Sequence, residues 1–344
     1  MNTYLMKKAM IESAVSQGIR QMKEDPERAA RRMVDLGKQF SHNRFQDMIF
    51  SVIQELLDND RSSYYDMLHN LLKNTDEKAI QKFGVNFGYM GWTYGASLIR
   101  QKEKECGHCL PWAITLRYDP SGKKGLTIEQ LEDLISQGQK LGIFVYFIRE
   151  MGDSGAYTLL EVFERCRDCA FVAFSHSGRV TAAQIEILKL CKNTVISFPV
   201  DDPESMLTAS LLRDQKIFFA LHYLYDDKAE SALLPNLVES TIASESAFLF
   251  AIARDGTAQS LVRDVTDECY HSRLSQNVPT VCIDFYGDDH KISQAICEHP
   301  YLFELDEEGY IVNEDGTRGP RYDTEKPLLD TLREVMPAYP CQEA

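Results

Sequence analysis

The stretch Pro111–Ser154, PWAITLRYDPSGKKGLTIEQLEDLISQGQKLGIFVYFIREMGDS, decides the fold. It reads as strand, loop, helix, strand, loop. Trp112–Leu116 is a short apolar run behind a proline. Thr127 is placed to cap a helix, and Gln130 stands three residues on, in capping-box position. Leu131, Leu134, Ile135 and Leu141 give that helix one apolar stripe. Gly142 follows, where a left-handed residue ends a helix. Ile143–Ile148 is apolar, aromatic and β-branched, as in strands buried on both faces of a parallel sheet.

Working outward toward the C-terminus, strand and helix patterns alternate at a period of roughly 25–30 residues, which suits stacked βα units. Candidate strands are 112–116, 143–148, 170–175, 194–199, 217–223, 247–252 and 280–285. Thr181 caps 182–191, Asp202-Pro203 opens 203–214, and further helices fall near 235–245, 257–274 and 326–335. Right-handed crossovers would roll the strands into a partial or full parallel β/α barrel.

Toward the N-terminus, residues 1–104 read as an all-helical domain ahead of a barrel domain at 105–344 that ends in a hairpin and a helix. Asp25-Pro26 opens a helix continued by Met33, Leu36 and Phe40. Phe45, Met48, Ile49, Val52, Ile53 and Leu56 form the best amphipathic pattern of the chain. The segment 84–99, GVNFGYMGWTYGASLI, sets Gly84, Gly88, Gly91 and Gly95 among aromatics. It reads as a close-packed helix or loop rather than a membrane contact, because it is too short to span a bilayer. Residues 101–105, QKEKE, read as a solvated hinge.

The chain has 344 residues, 26% charged and 44% hydrophobic, as in an ordinary globular protein. A net charge of −15 argues against nucleic acid as the main partner. No run of apolar residues is long enough for a membrane span, and Met1–Met10 does not read as a secretory signal. Nine cysteines, an odd number, fit reduced thiols and a cytoplasmic setting. No GxGxxG, Walker loop or GxSxG is present, which removes the common nucleotide and hydrolase readings.

Pro111-Trp112-Ala113-Ile114, Leu126-Thr127-x-Glu129 and Gln137-Gly138-x-x-Leu141-Gly142-Ile143 resemble the first βα unit and second strand of radical S-adenosylmethionine enzymes with a helical N-terminal extension. Phe171–Thr181, FVAFSHSGRVT, resembles the family's fourth-strand segment, with His176 where the family has asparagine. Residues 301–314, YLFELDEEGYIVNE, resemble the hairpin after the barrel, with Asn313 or Glu314 at a cysteine position of the family. The resemblance implies a radical-SAM-type barrel. In the family the first loop holds CxxxCxxC, three thiolates for a [4Fe–4S] cluster. Here that loop is Arg117–Gly125, RYDPSGKKG, with no cysteine. The family's GGEP, which cradles the methionine end of the cofactor, is replaced by Arg149-Glu150-Met151-Gly152-Asp153.

Three functional readings stay open. The first is a non-catalytic pseudoenzyme serving as a binding, regulatory or partner subunit, beside a protein such as an active relative, or holding a small molecule. It calls for no cofactor. The second is an enzyme of changed chemistry at the remodelled mouth or on an unusual cluster. Only this reading calls for S-adenosylmethionine and [4Fe–4S]. The third is a thiol oxidoreductase through Cys106-Gly107-His108-Cys109.

Barrels bind ligands at strand C-terminal ends. The candidate pocket residues there are Arg117, Tyr118, Arg149, Glu150, His176, His222, Tyr223, Arg254, Asp284 and Tyr286. A closed mouth is the alternative to an open pocket, with Arg149 or Arg117 paired to Glu150, Asp153 or Asp284, since a buried charge needs a partner. Cys106, His108, Cys109, Cys166 and Cys169 are the candidate metal or redox ligands, against a plain structural role. The acidic pairs Asp226-Asp227 and Asp288-Asp289, with Asp306–Glu308, read as solvated turns.

Overall fold

The computed structural model describes residues 3–39, 44–119, 125–152, 155–228, 233–297, 301–313 and 315–339. The chain forms two compact units, Met1–Val85 with Ser177–Gly287, and Asn86–His176 with Asp288–Ala344. The fold is α/β and barrel-like, with N-terminal helices followed by ten described strands that pair mostly in parallel.

The first unit opens with α1 (Thr3–Glu24), α2 (Pro26–Gln39), α3 (Arg44–Leu57), α4 (Tyr64–Asn74) and α5 (Glu77–Gly84). Ile19 and Met22 of α1, Ala29 and Ala30 of α2 and Leu72 of α4 form their buried core, flanked by Val15, Met33, Leu57, Leu68 and Ile80. α3 covers the most periodic stretch, although the side chains of Phe45, Met48, Ile49 and Val52 lie outside the described residues. Asp76 caps α5, accepting the Lys78 and Ala79 N–H groups at 3.0 and 3.1 Å.

The second unit opens with a π-helix, Val85–Gly95, that continues into α6 (Ala96–Cys106). Close approach explains two of its glycines. A Cβ on Gly91 would lie 2.8 Å from Val145 Cγ2, and one on Gly95 would overlap the Gly142 carbonyl oxygen. Residues 101–105 are not a hinge. They are the last turns of α6, and Glu103 is fully buried, where its carboxylate accepts the Leu110 N–H at 3.0 Å.

Then follow β1 (Ala113–Tyr118), α7 (Ile128–Leu141), β2 (Val145–Glu150), α8 (Gly155–Thr158), α9 (Leu160–Arg165) and β3 (Ala170–Phe174). The Thr127–Gln130 capping box is formed in full, and Gly142 ends α7 at φ 101°. β2 is buried at every residue, as its unbroken apolar sequence demands. Tyr146 of β2 donates its hydroxyl hydrogen toward the Ile135 carbonyl of α7 at 3.2 Å, which marks the helix-covered face.

The remaining elements alternate as expected: α10 (Ala182–Leu188), β4 (Thr194–Pro199), α11 (Ser205–Asp214), β5 (Phe219–Tyr225), α12 (Leu233–Ser244), β6 (Phe248–Ala253), α13 (Gln259–Ser275) and β7 (Val281–Asp284). α14 (Phe285–Cys297), which the sequence did not suggest, absorbs Asp288 and Asp289; Asp289 is buried in a helix, not solvated in a turn. β8 (Phe303–Leu305) and β9 (Tyr310–Val312) are the expected hairpin, turning through Asp306–Gly309, with Glu314 outside the described residues. β10 (Arg318–Arg321) and α15 (Leu328–Val335) close the chain.

Strand order is β10-β9-β8-β1-β2-β3 in one unit and β4-β5-β6-β7 in the other. From β1 to β3 and from β4 to β7, space follows sequence, as βα winding requires. Among the described residues no helix is long and apolar enough to cross a membrane.

Candidate functional site at the C-terminal ends of β1, β2 and β8

Register builds the site. Arg117 of β1 is the partner of Arg149 of β2, so both guanidinium stems leave the same face. Thr115 is the partner of Glu304 of β8, which sets that carboxylate two residues back on the same face. Arg117 Nε donates to Glu304 Oε1 at 2.7 Å, and Arg149 Nη1 lies 3.5 Å from the same oxygen. The three side chains are 8%, 9% and 7% exposed. Two cations share one carboxylate away from water, an arrangement that is stable only while all three remain.

A second carboxyl joins this group. Trp112 Nε1 donates to Asp289 Oδ1 at 2.6 Å. Burial pushes Asp289 up to about 7; the Trp112 hydrogen bond works against burial, and the Glu304 charge adds to it. Asp289 therefore holds a proton around neutrality, a titration that an acidic pair assigned to a turn would not show.

Glu150 leaves the opposite face of β2. It accepts the Ser175 hydroxyl hydrogen at 3.0 Å and the His176 backbone N–H at 2.8 Å. Tyr157 lies beside them, its hydroxyl raised in pKa by burial first, with the Ser175 hydrogen bond opposing and the Glu150 charge adding. A paired mouth is thus present, with Glu304 as an acceptor that both arginines share. Asp153 lies outside the described residues.

The other candidates are separate from this cluster. Tyr118 ends β1 buried on the Glu150 side, in register with it, and the His176 ring is exposed. In the first unit, buried His222 Nδ1 and Ser197 Oγ hydrogen-bond at 3.0 Å. Asp284 accepts the Thr266 hydroxyl hydrogen of α13 at 2.5 Å, so it faces a helix. Tyr223 is in register with Ala251, itself in register with Asp284, so Tyr223 shares that face. Tyr286 is half-buried, and Arg254 is exposed, its carbonyl accepting the Thr257 hydroxyl. Glu304, Asp289 and Trp112 are the site residues that sequence reasoning did not name as such. One signal was available: Glu304 stands between Phe303 and Leu305, and a charge inside an apolar strand must find a partner.

The cysteines sit at the other ends of the strands. Gly107 ends α6 at φ 74°, His108 Nδ1 lies 3.1 Å from the Met336 carbonyl, and Cys109 is buried just before β1. Burial pushes the Cys109 thiol up to about 11, with the Glu103 charge adding to it. Burial pushes Cys166 up to about 11 as well. An active dithiol needs the opposite shift. Cys169 is buried before β3, and its sulfur accepts from Gln139 Nε2 at 2.8 Å. Among the described residues, no three His, Cys, Asp or Glu side chains are grouped to hold a metal ion.

No protein-family model and no curated protein matches the chain. Solved structures do. SuiB of Streptococcus suis bound to the precursor peptide SuiA is 13% identical, with a TM-score of 0.51 over 67% of this chain and 67% of that one. SuiB bound to S-adenosylmethionine is 14% identical, with a TM-score of 0.50 over 70% of this chain and 67% of that one. A further SuiB structure is 13% identical, with a TM-score of 0.50 over 79% of this chain and 82% of that one. At such identities the likeness is one of fold: the chain has a radical-SAM-like fold.

The donor set can be tested against the cofactors of that fold. A [4Fe–4S] centre needs thiolates converging at one loop. Arg117–Gly125 carries none in its sequence, and Arg117 itself is committed to Glu304. The sequence of that loop therefore supplies no thiolate for such a cluster.

Proposed function

We propose that this chain is a pseudoenzyme on a radical-SAM-like scaffold and acts as a binding or partner subunit. The observation that carries the reading is the Arg117–Glu304–Arg149 triad. In a radical enzyme the ends of the first two strands border the cluster and the cofactor. Here two guanidinium groups and the carboxylate they share lie there, buried and ion-paired. Such a group contributes packing rather than an open coordination site. The SuiB structure with a bound precursor peptide supports a peptide or protein as the class of partner. The high thiol pKa of Cys109 weighs against redox work at the CGHC stretch.

The test is anaerobic reconstitution with iron and sulfide, followed by S-adenosylmethionine and a reductant. The expected outcome is no iron–sulfur absorbance and no 5′-deoxyadenosine above a no-protein control. Brown protein that forms 5′-deoxyadenosine would overturn the reading in favour of changed chemistry at the mouth.

A further inference from the structure

The first unit holds a cavity of about 570 Å³ where α1, α4 and α5 meet the turn at Lys216. Its apolar part is Met22 and Leu72, both buried members of the helical core. Its rim is cationic. Lys73 lies in the last turn of α4, Lys78 in the first turn of α5, and Lys216 before β5. All three are exposed.

The acids of the rim are already engaged. Glu77 pairs with Lys23. Asp76 caps α5 and lies 3.3 Å from Lys192 Nζ. Lys216 donates to the Lys73 carbonyl. Among the described residues, the ammonium groups of Lys73, Lys78 and Lys216 have no carboxylate at ion-pair distance.

Lys73 is the least informative of the three, since a helix C-terminus favours a cation. Lys78 is the most informative. The first turn of a helix disfavours a cation, and an acid there would stabilise α5. In a chain of net charge −15, three unneutralised lysines around one apolar floor form a local reversal of sign. The volume is within the range of ligand pockets, roughly 300–1,000 Å³. The apolar floor between the cations selects against a bare inorganic anion, which would leave Met22 and Leu72 uncovered.

We propose that this cavity binds an acidic peptide segment, its carboxylates on Lys73, Lys78 and Lys216 and one apolar side chain on Met22 and Leu72. The proposal rests on the partner-binding reading above and names a surface for it. Because exposed charges make the contact, affinity falls with ionic strength.

The experiment is fluorescence anisotropy on the full chain, with a fluorescein-labelled octapeptide of alternating glutamate and leucine as probe and pyrophosphate as competitor. The expected result is saturable binding that weakens about tenfold in Lys78→Glu, equivalent to roughly 1.4 kcal/mol. The same variant should melt at the parent temperature or above it, because the new acid suits the first turn of α5. Lys140→Glu on α7 should bind as the parent does. Unchanged binding in Lys78→Glu, or no binding at low salt, would overturn the proposal. Displacement of the probe by an equal concentration of pyrophosphate would overturn it too, and reassign the cavity to small anions. None of these outcomes bears on deoxyadenosine formation, so this failure and that of the pseudoenzyme reading are separable.

Discussion

The two units end their parallel strands in different chemistry. At the ends of β1, β2 and β8, two arginines share Glu304, and a second carboxyl, Asp289, holds its proton against Trp112. Near the ends of β4, β5 and β7, a hydroxyl meets an imidazole at Ser197–His222, and another meets a carboxyl at Thr266–Asp284. Apart from half-buried Thr266, both sets are buried. The difference is the cost of losing one member. A neutral hydrogen bond that loses a partner forfeits about 1 kcal/mol, whereas an ion stranded in the interior forfeits several times more. The arginine pair on one carboxylate lies in the unit whose first loop, in the family this chain resembles, would carry the cluster.

The largest expected effect is at Glu304. Glu304→Ala leaves Arg117 and Arg149 without the acceptor they share and should destabilise by about 3–5 kcal/mol in urea titration. Arg149→Ala should cost less, because Arg117 keeps its bond to Glu304. The double variant Glu304→Ala/Arg149→Ala should cost less than the two single losses added. Strict additivity would break the picture of a coupled charged mouth.

Asp289 should show itself in the pH dependence of stability. Its folded pKa of about 7 lies above the unfolded value. Folding therefore takes up a proton between about pH 4 and about pH 7. Stability falls as the pH rises through that window and levels off above it. Asp289→Asn removes the titrating group. The variant should match the parent near the lower limit and exceed it by a few kcal/mol above the upper one. Superimposable pH curves for parent and variant would remove Asp289 from the mouth's electrostatics.

The smallest effect is expected at the Ser197–His222 pair. Ser197→Ala removes one hydroxyl from His222 and should cost about 1 kcal/mol, with little dependence on salt. A loss as large as that of Glu304→Ala would erase the contrast between the units.

How much of this was legible depends on sequence distance. The Thr127–Gln130 capping box and the Thr181 cap are local, and both form as read, Thr181 with Gln184 completing a second box. Strands β1 to β7 fall within two residues of the starts read from the apolar runs, because most of these runs are buried on both faces. The site resisted the same treatment. Arg117 meets Glu304 across 187 residues, and Trp112 meets Asp289 across 177. No periodicity links such positions. QKEKE misled for a related reason: charged residues read as solvent-facing, yet Glu103 turns inward to the Leu110 N–H.

By itself, then, the sequence determined the α/β winding, the helix ends, and the lack of thiols in the first loop, since local propensity, capping and composition are set by neighbours along the chain. The tertiary structure alone decided which carboxylate the two arginines share, that Asp289 keeps its proton, and that three lysines ring one cavity. Those outcomes depend on desolvation and on through-space charge, and both are defined only once distant segments have packed together.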